Sequence, residues 1–216
     1  MKIGKLIMPI LCFCMLGLTA CGEVIQQENE SNGVTDEVAA TMSSISIEKD
    51  GSISSTIIEN FIESYYNEDD LKSMIESAID EYKAANITAQ IELKSFKVKD
   101  GVTNILMEFG DYQTYAGFDR EDFFAGTIRD ANMAGYDLNV TLKSIADNTT
   151  VSKPELLGMG DSHIVIFEYA EEPDAPEQLR INCYDEILYV NDGVTVVGKK
   201  SADISSSKGF KIIVFK

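Results

Sequence analysis

Three β-branched, partly alternating runs along the chain are each broken by Asp-Gly. They are ISIEKDGSISSTII around Asp50-Gly51, FKVKDGVTNILM around Asp100-Gly101 and ILYVNDGVTVV around Asp192-Gly193. Alternation of apolar and polar residues has the two-residue period of a strand with one wet face. Asp-Gly supplies the positive φ values of a tight hairpin turn. The pattern therefore predicts three antiparallel hairpins. Further apolar runs predict strands near 140–146, 163–169, 178–183 and 210–215.

A helical period shows twice. In NEDDLKSMIESAIDEYKAAN, Leu71, Met74, Ile75, Ala78, Ile79 and Tyr82 recur on one face. Asn67 is placed to cap this helix with Asp70 at its third position, and Asn86 to close it. In DREDFFAGTIRDANMAG, Phe124, Ile128 and Ala131 share a face, with Asp119 as cap, Asp122 at the third position and Gly135 as terminator. Tyr66–Leu71 and Phe118–Phe123 align at an offset of 52 residues, so a duplicated hairpin-helix unit is one reading. Two similar caps arising independently is the simpler one. Strand-rich sequence with two helices between the strands predicts an α+β domain, an antiparallel sheet built largely from hairpins with two helices packed on one face.

The first 21 residues have a different pattern. Lys2 and Lys5 precede an apolar run of 13 residues, Leu6 to Leu18, and no acid occurs before Cys21. A membrane-spanning helix needs about 20 apolar residues, so the run is too short to span; it has the length of a signal-peptide core. It ends in Leu18-Thr19-Ala20-Cys21, which resembles the lipobox of bacterial lipoproteins. The resemblance implies a diacylglyceryl group on the Cys21 sulfur and cleavage between Ala20 and Cys21. The new amino group is a further acylation point. The rival readings are an ordinary secretory signal with a chance cysteine and an uncleaved anchor. The expected organisation is a signal peptide over 1–20, a lipidated Cys21 with an acidic tether over 21–44, and one α+β extracytoplasmic domain over 45–216.

Composition changes the picture in two ways. Of four cysteines, Cys12 and Cys14 fall in the leader and Cys21 carries the lipid, so Cys183 has no partner for an intramolecular disulfide. In its strand-like setting it reads as a small buried apolar residue. The charge is strongly acidic, 36 Asp and Glu against 18 Lys and Arg. Removing residues 1–20, which hold two Lys and no acid, leaves 16 basic against 36 acidic side chains, a net of −20. Such a body repels nucleic acid and anionic lipid, so membrane affinity must come from acyl chains. Residues 22–44 hold five acids, no Lys or Arg and no aromatic residue, a composition that does not bury enough apolar surface to fold. As a flexible chain they average roughly 25–30 Å end to end.

Candidate chemistry is sparse. Glu68, Asp69 and Asp70, and again Asp119, Glu121 and Asp122, could hold a cation, but acids at helix starts are expected from capping and the helix dipole. Glu171, Glu172, Asp174 and Glu177 crowd a proline-broken loop without the alternating spacing that aims ligands at calcium. Gly160-Asp161-Ser162 resembles the serine motif of GDSL-type esterases. It lies late in the chain, however, and His163, the single histidine, adjoins it. Adjacent strand residues point to opposite faces, which separates this Ser from this His. Ser205-Ser206-Ser207-Lys208 matches Ser-x-x-Lys of penicillin-binding enzymes in letters, but reads as a loop. Tyr112, Tyr115 and Phe118 read as core at a strand-to-helix corner rather than as a recognition patch.

No catalytic, cofactor-binding or metal-binding residue emerges; the one site residue is Cys21, for lipidation, and the covalent lipid stands in place of a cofactor. The expectation is a lipid-anchored protein on the extracytoplasmic face of a bacterial cell membrane. Its body is a non-enzymatic binding or envelope-assembly domain for a protein or small ligand, with no nucleic-acid partner. The rivals are a carboxylate-based hydrolase, with or without calcium, and a transporter-associated solute-binding protein. At 172 residues the body is short for the latter's usual two lobes.

Overall fold

A computed structural model describes residues 42–62, 67–120, 122–168, 178–205 and 209–216. Among them are thirteen strands and four helices. The first half runs β1 (Ser44–Ile47), β2 (Ile53–Asn60), α1 (Glu68–Ala85), β3 (Ile91–Lys99), β4 (Val102–Phe109), α2 (Tyr112–Asp119), β5 (Asp122–Thr127) and α3 (Ile128–Met133). The second runs β6 (Leu142–Ser144), β7 (Thr150–Val151), α4 (Lys153–Gly158), β8 (His163–Glu168), β9 (Gln178–Asn182), β10 (Ile187–Val190), β11 (Val194–Val196), β12 (Ser201–Ser205) and β13 (Lys211–Phe215). The fold is α+β, as expected, but the strands form two sheets rather than one. Sheet A has the order β11-β12-β9-β1-β2-β4-β3 and sheet B the order β5-β8-β13-β10-β6-β7. All pairings are antiparallel except β1 with β9.

Two of the three Asp-Gly signals make hairpins, by different turns. At β3–β4, Lys99 pairs with Val102, and Asp100 and Gly101 both have positive φ, 54° and 74°. This is the two-residue turn whose twist matches its strands. At β1–β2 the connection is longer: Glu48 N–H donates to Ser52 O at 2.9 Å and only Gly51 has positive φ, 91°. The third signal is a correction. β10 and β11 do not pair; β10 lies in sheet B and β11 in sheet A. Asn191 explains the departure, because its side chain donates to Phe210 O at 2.7 Å and accepts from Ile212 N–H at 2.7 Å. The turn is thereby held to the β13 strand and directs the chain from one sheet into the other.

Helix α1 forms where its period places it. Asn67 Oδ1 accepts from Asp70 N–H at 3.1 Å, Asn86 N–H donates to Tyr82 O, and Leu71, Ile75, Ala78 and Ile79 are buried. The second expected helix is another correction. Asp119 is the last residue of α2, not a cap, and Arg120 follows in the left-handed region at φ 61°. Asp122 to Thr127 is a strand, and only Ile128–Met133 is helical. Its cap is Thr127, in a reciprocal box with Asp130. The apparent helical face survives because Phe124, Ile128 and Ala131 all enter one core, from a strand and a helix in succession. The Asn67 and Asp119 regions therefore do not repeat.

The core has two parts. One lies between the sheets and takes Ile45, Ile53, Ile105, Phe109, Ile181 and Ile204 from sheet A, with Phe123, Phe167, Ile213 and Phe215 from sheet B. The buried faces of α1 and α2 join it. The other lies on the far side of sheet B, where Ile164, Ile166, Ile212 and Val214 meet α3 and α4. The helices thus occupy different layers and do not share one face of one sheet.

Candidate functional site

The reactive side chains singled out in the sequence are engaged in packing. Cys183 is 5% exposed at the end of the inter-sheet core, and burial pushes its thiol up to about 12. A thiol so protonated is a poor nucleophile. His163 opens β8 on the same side as Val165 and Phe167, with its ring stacked 5.3 Å from Phe215 and edge-on 5.2 Å from Tyr184. Partial burial lowers its pKa against the opposing pull of Asp130 and Asp185. Ser162 precedes it by one residue and uses its carbonyl to accept from Ile128 N–H at 2.9 Å. Gly160 O accepts from Arg129 N–H, and Asp161 pairs with Arg129 at 2.9 Å. The Gly-Asp-Ser stretch therefore works as a clasp on the first turn of α3.

The remaining candidates resolve in similar terms. Glu68, Asp69 and Asp70 form the first turn of α1. Asp119 ends α2 and Asp122 begins β5, so these two acids do not share a helix start. Among the described residues no group of three or more His, Cys, Asp or Glu is placed to hold a metal ion. Tyr115 and Phe118 are buried on α2, and Tyr112 stacks edge-on against Phe124 at 4.8 Å, so this trio is core. Ser205 ends β12. Glu121, the acidic loop 171–177, Ser206 to Lys208, Cys21 and the whole leader lie outside the described residues.

What the fold does present is an open sheet face. On β1, Ile45 and Ile47 turn inward, so Ser44 and Ser46 turn outward. The register lines up Ser201, Asn182, Ser46, Ser54 and Glu108 across five strands. The next row is Asp203, Arg180, Ser44, Thr56 and Leu106. None of the four described helices covers this face, because each packs in one of the two cores. Its side chains are tied to one another. Ser201 Oγ donates to Asn182 Oδ1 at 2.8 Å, and Asn182 Nδ2 donates to Ser46 Oγ at 3.2 Å. Arg180 grips Asp203 with two bonds, of 2.7 and 3.0 Å. Lys94 bridges Glu92 and Glu108 at 3.1 and 3.0 Å. Sequence reasoning missed this face because Asn182 and Ser201 reach Ser46 only through the parallel β1–β9 pairing, which no local signal announces.

Comparison with protein-family models, with curated proteins and with solved structures finds no match. No helix among the described residues is long and apolar enough to cross a membrane.

Proposed function

We propose that this protein is a lipid-anchored extracytoplasmic lipoprotein of a bacterial cell membrane, and that its body is a non-enzymatic binding domain. The anchor rests on the basic start, short apolar run and Leu18-Thr19-Ala20-Cys21 box, in that order. The binding role rests on one observation above the others. A broad face of sheet A, rich in Ser, Asn and Thr and uncovered by any described helix, has its polar groups fixed in place by mutual hydrogen bonds. A surface ordered in advance loses little entropy on docking a partner. The packing of Cys183 adds support, since a thiol held protonated in the core is not presented as a nucleophile.

Two measurements test the reading. A clickable fatty-acid label in a bacterial host should mark the wild-type chain and be lost from Cys21→Ser; label retained by the variant refutes the anchor. A photoreactive residue at Ser54, on the open face, should give a discrete adduct on intact cells, whereas one at the exposed Ile87 should not. Equal capture at both positions refutes the assignment of the face.

A further inference from the structure

The three Asp-Gly pairs share a chemical weakness, and the fold treats each of them differently. Glycine leaves its amide nitrogen unshielded by a Cβ, so that nitrogen can attack the side-chain carboxyl of the preceding Asp. The attack needs a carboxyl without fixed partners and a peptide unit free to turn its nitrogen toward that carboxyl.

At Asp50-Gly51 both are denied. The Asp50 carboxylate accepts from Ser52 N–H at 3.1 Å and from Ser52 Oγ at 2.7 Å. Gly51 N–H donates to Glu48 O at 3.0 Å, so the intervening peptide unit is tied as well. The Ser52 bonds also hold the Asp50 carboxyl below its ordinary value, which leaves less of the protonated acid that can lose its hydroxyl as water. At Asp192-Gly193 one is denied. The Asp192 carboxylate pairs with Lys143 at 2.9 Å, but its side chain is 90% exposed, and an ion pair so open to water is a weak restraint.

At Asp100-Gly101 neither is denied. Asp100 is exposed at the tip of the β3–β4 hairpin, and its carboxylate takes part in no hydrogen bond or ion pair among the described residues. Neither Asp100 C=O nor Gly101 N–H is hydrogen-bonded among them, so rotating the peptide unit between the two breaks no bond. The flanks stay fixed meanwhile, through the pairing of Lys99 with Val102 and the donation of Phe61 N–H to Gly101 O at 2.7 Å. Asp100 also lies at φ 54°, in the left-handed region that L side chains enter only at a cost, so turning that unit relieves strain.

We infer that Asp100-Gly101 is a site of spontaneous isoaspartate formation, and the most reactive of the three Asp-Gly pairs. The Gly101 nitrogen bonds to Asp100 Cγ, the carboxyl hydroxyl and the amide proton leave as water, and a five-membered succinimide results. Water then adds to one of its two carbonyl carbons. Breaking the bond from nitrogen to Cγ restores Asp. Breaking the bond from nitrogen to the original backbone carbonyl carbon leaves the chain running through Cβ and Cγ, with the old carbonyl carbon now the free carboxylate. Composition and charge are unchanged, and the main chain is one carbon longer. A two-residue turn matched to its strands does not absorb that atom, so the outer hairpin of sheet A loosens. The expected order of reactivity is Asp100, then Asp192, then Asp50. It depends on neither the lipid anchor nor the open face.

The test incubates the full chain in neutral heavy-oxygen water at physiological temperature. Peptide mapping by chromatography and fragmentation then separates isoaspartate from Asp at each pair. Isoaspartate carrying one heavy oxygen is expected at position 100 at least fivefold above position 50, with position 192 between them. In urea, where the fold is lost, the three rates should lie within twofold of one another. Ser52→Ala should raise the rate at position 50 at least threefold and leave position 100 unchanged, and melting curves that match wild type establish that this variant is folded. No isoaspartate at position 100, a rate at 50 or 192 that equals it in the folded chain, the same order in urea, or no rise at position 50 in folded Ser52→Ala each overturns the assignment.

Discussion

Sheet A and sheet B use similar residues to opposite ends. On β4 of sheet A, burial alternates: Thr103, Ile105, Met107 and Phe109 are buried, while Asn104, Leu106 and Glu108 are partly open. On β13 of sheet B, all five residues of KIIVF are buried, and on β8 the four residues from Ile164 to Phe167 are. An antiparallel sheet commonly keeps one face in water, whereas a sheet covered on both sides reads as a continuous apolar run. Sheet B meets this second condition without being parallel, because α3 and α4 roof its far side. Adjacent apolar residues such as Phe123 and Phe124 then serve two separate cores.

Alanine substitutions at neighbouring positions give the strongest test of that contrast. In sheet B, Phe167→Ala and Ile166→Ala open cavities on opposite faces, and each should cost about 2–5 kcal/mol. In sheet A, Met107→Ala should cost about 2–5 kcal/mol, whereas its neighbour Leu106→Ala should cost under ~1 kcal/mol. Urea denaturation of the four variants checks this, and an equal loss at positions 106 and 107 would break the distinction.

The turns provide the next test. Gly51 and Gly193 both have positive φ, 91° and 83°. A Cβ at Gly51 would meet nothing within 4 Å, while one at Gly193 would lie 2.8 Å from Lys211 Cε. Gly51→Ala in the sheet A hairpin should cost about 1 kcal/mol, from backbone strain alone. Gly193→Ala, at the crossing between sheets, should cost about 2–3 kcal/mol, because the buried Lys211 stem must also shift. Thermal melts would separate the two.

Smaller effects are expected where sheet A places polar groups on its buried face. Thr103 is fully buried, and its Oγ1 finds no hydrogen-bond partner among the described residues. Thr103→Val keeps the shape and removes the orphan, and should stabilise by about 1 kcal/mol. Glu59 pairs with Thr103 across β2 and β4, and burial raises its carboxyl above the ordinary value of 4.5. A raised carboxyl pKa means that ionisation opposes folding. Its contribution is fully favourable below the unfolded value and is lost as pH rises through the folded one. Glu59→Gln should therefore raise the melting temperature at pH 7 and give no gain at pH 4. An equal gain at both pH values would show that the carboxylate charge is not the cause.

The same contrast explains what could be read from the chain. Sheet A hairpins were legible because alternation and Asp-Gly are local signals, and α1 was legible through its apolar spacing and Asn67. Sheet B was harder. FF at 123–124 imitates part of a helical face, and nothing local distinguishes a strand buried on both sides from a helix end. The third Asp-Gly misled because the bonds of Asn191 to the backbone at Phe210 and Ile212, neighbours only in the fold, decide which way its turn leads.

The place of β1 carries one last consequence. Although it is the earliest described strand, it lies inside sheet A, hydrogen-bonded to β2 on one side and to β9 on the other. Under the anchoring proposed for Cys21, a pull from the membrane would enter sheet A at an interior strand, not at a fraying edge. Both flanking ladders would have to yield before β1 came free.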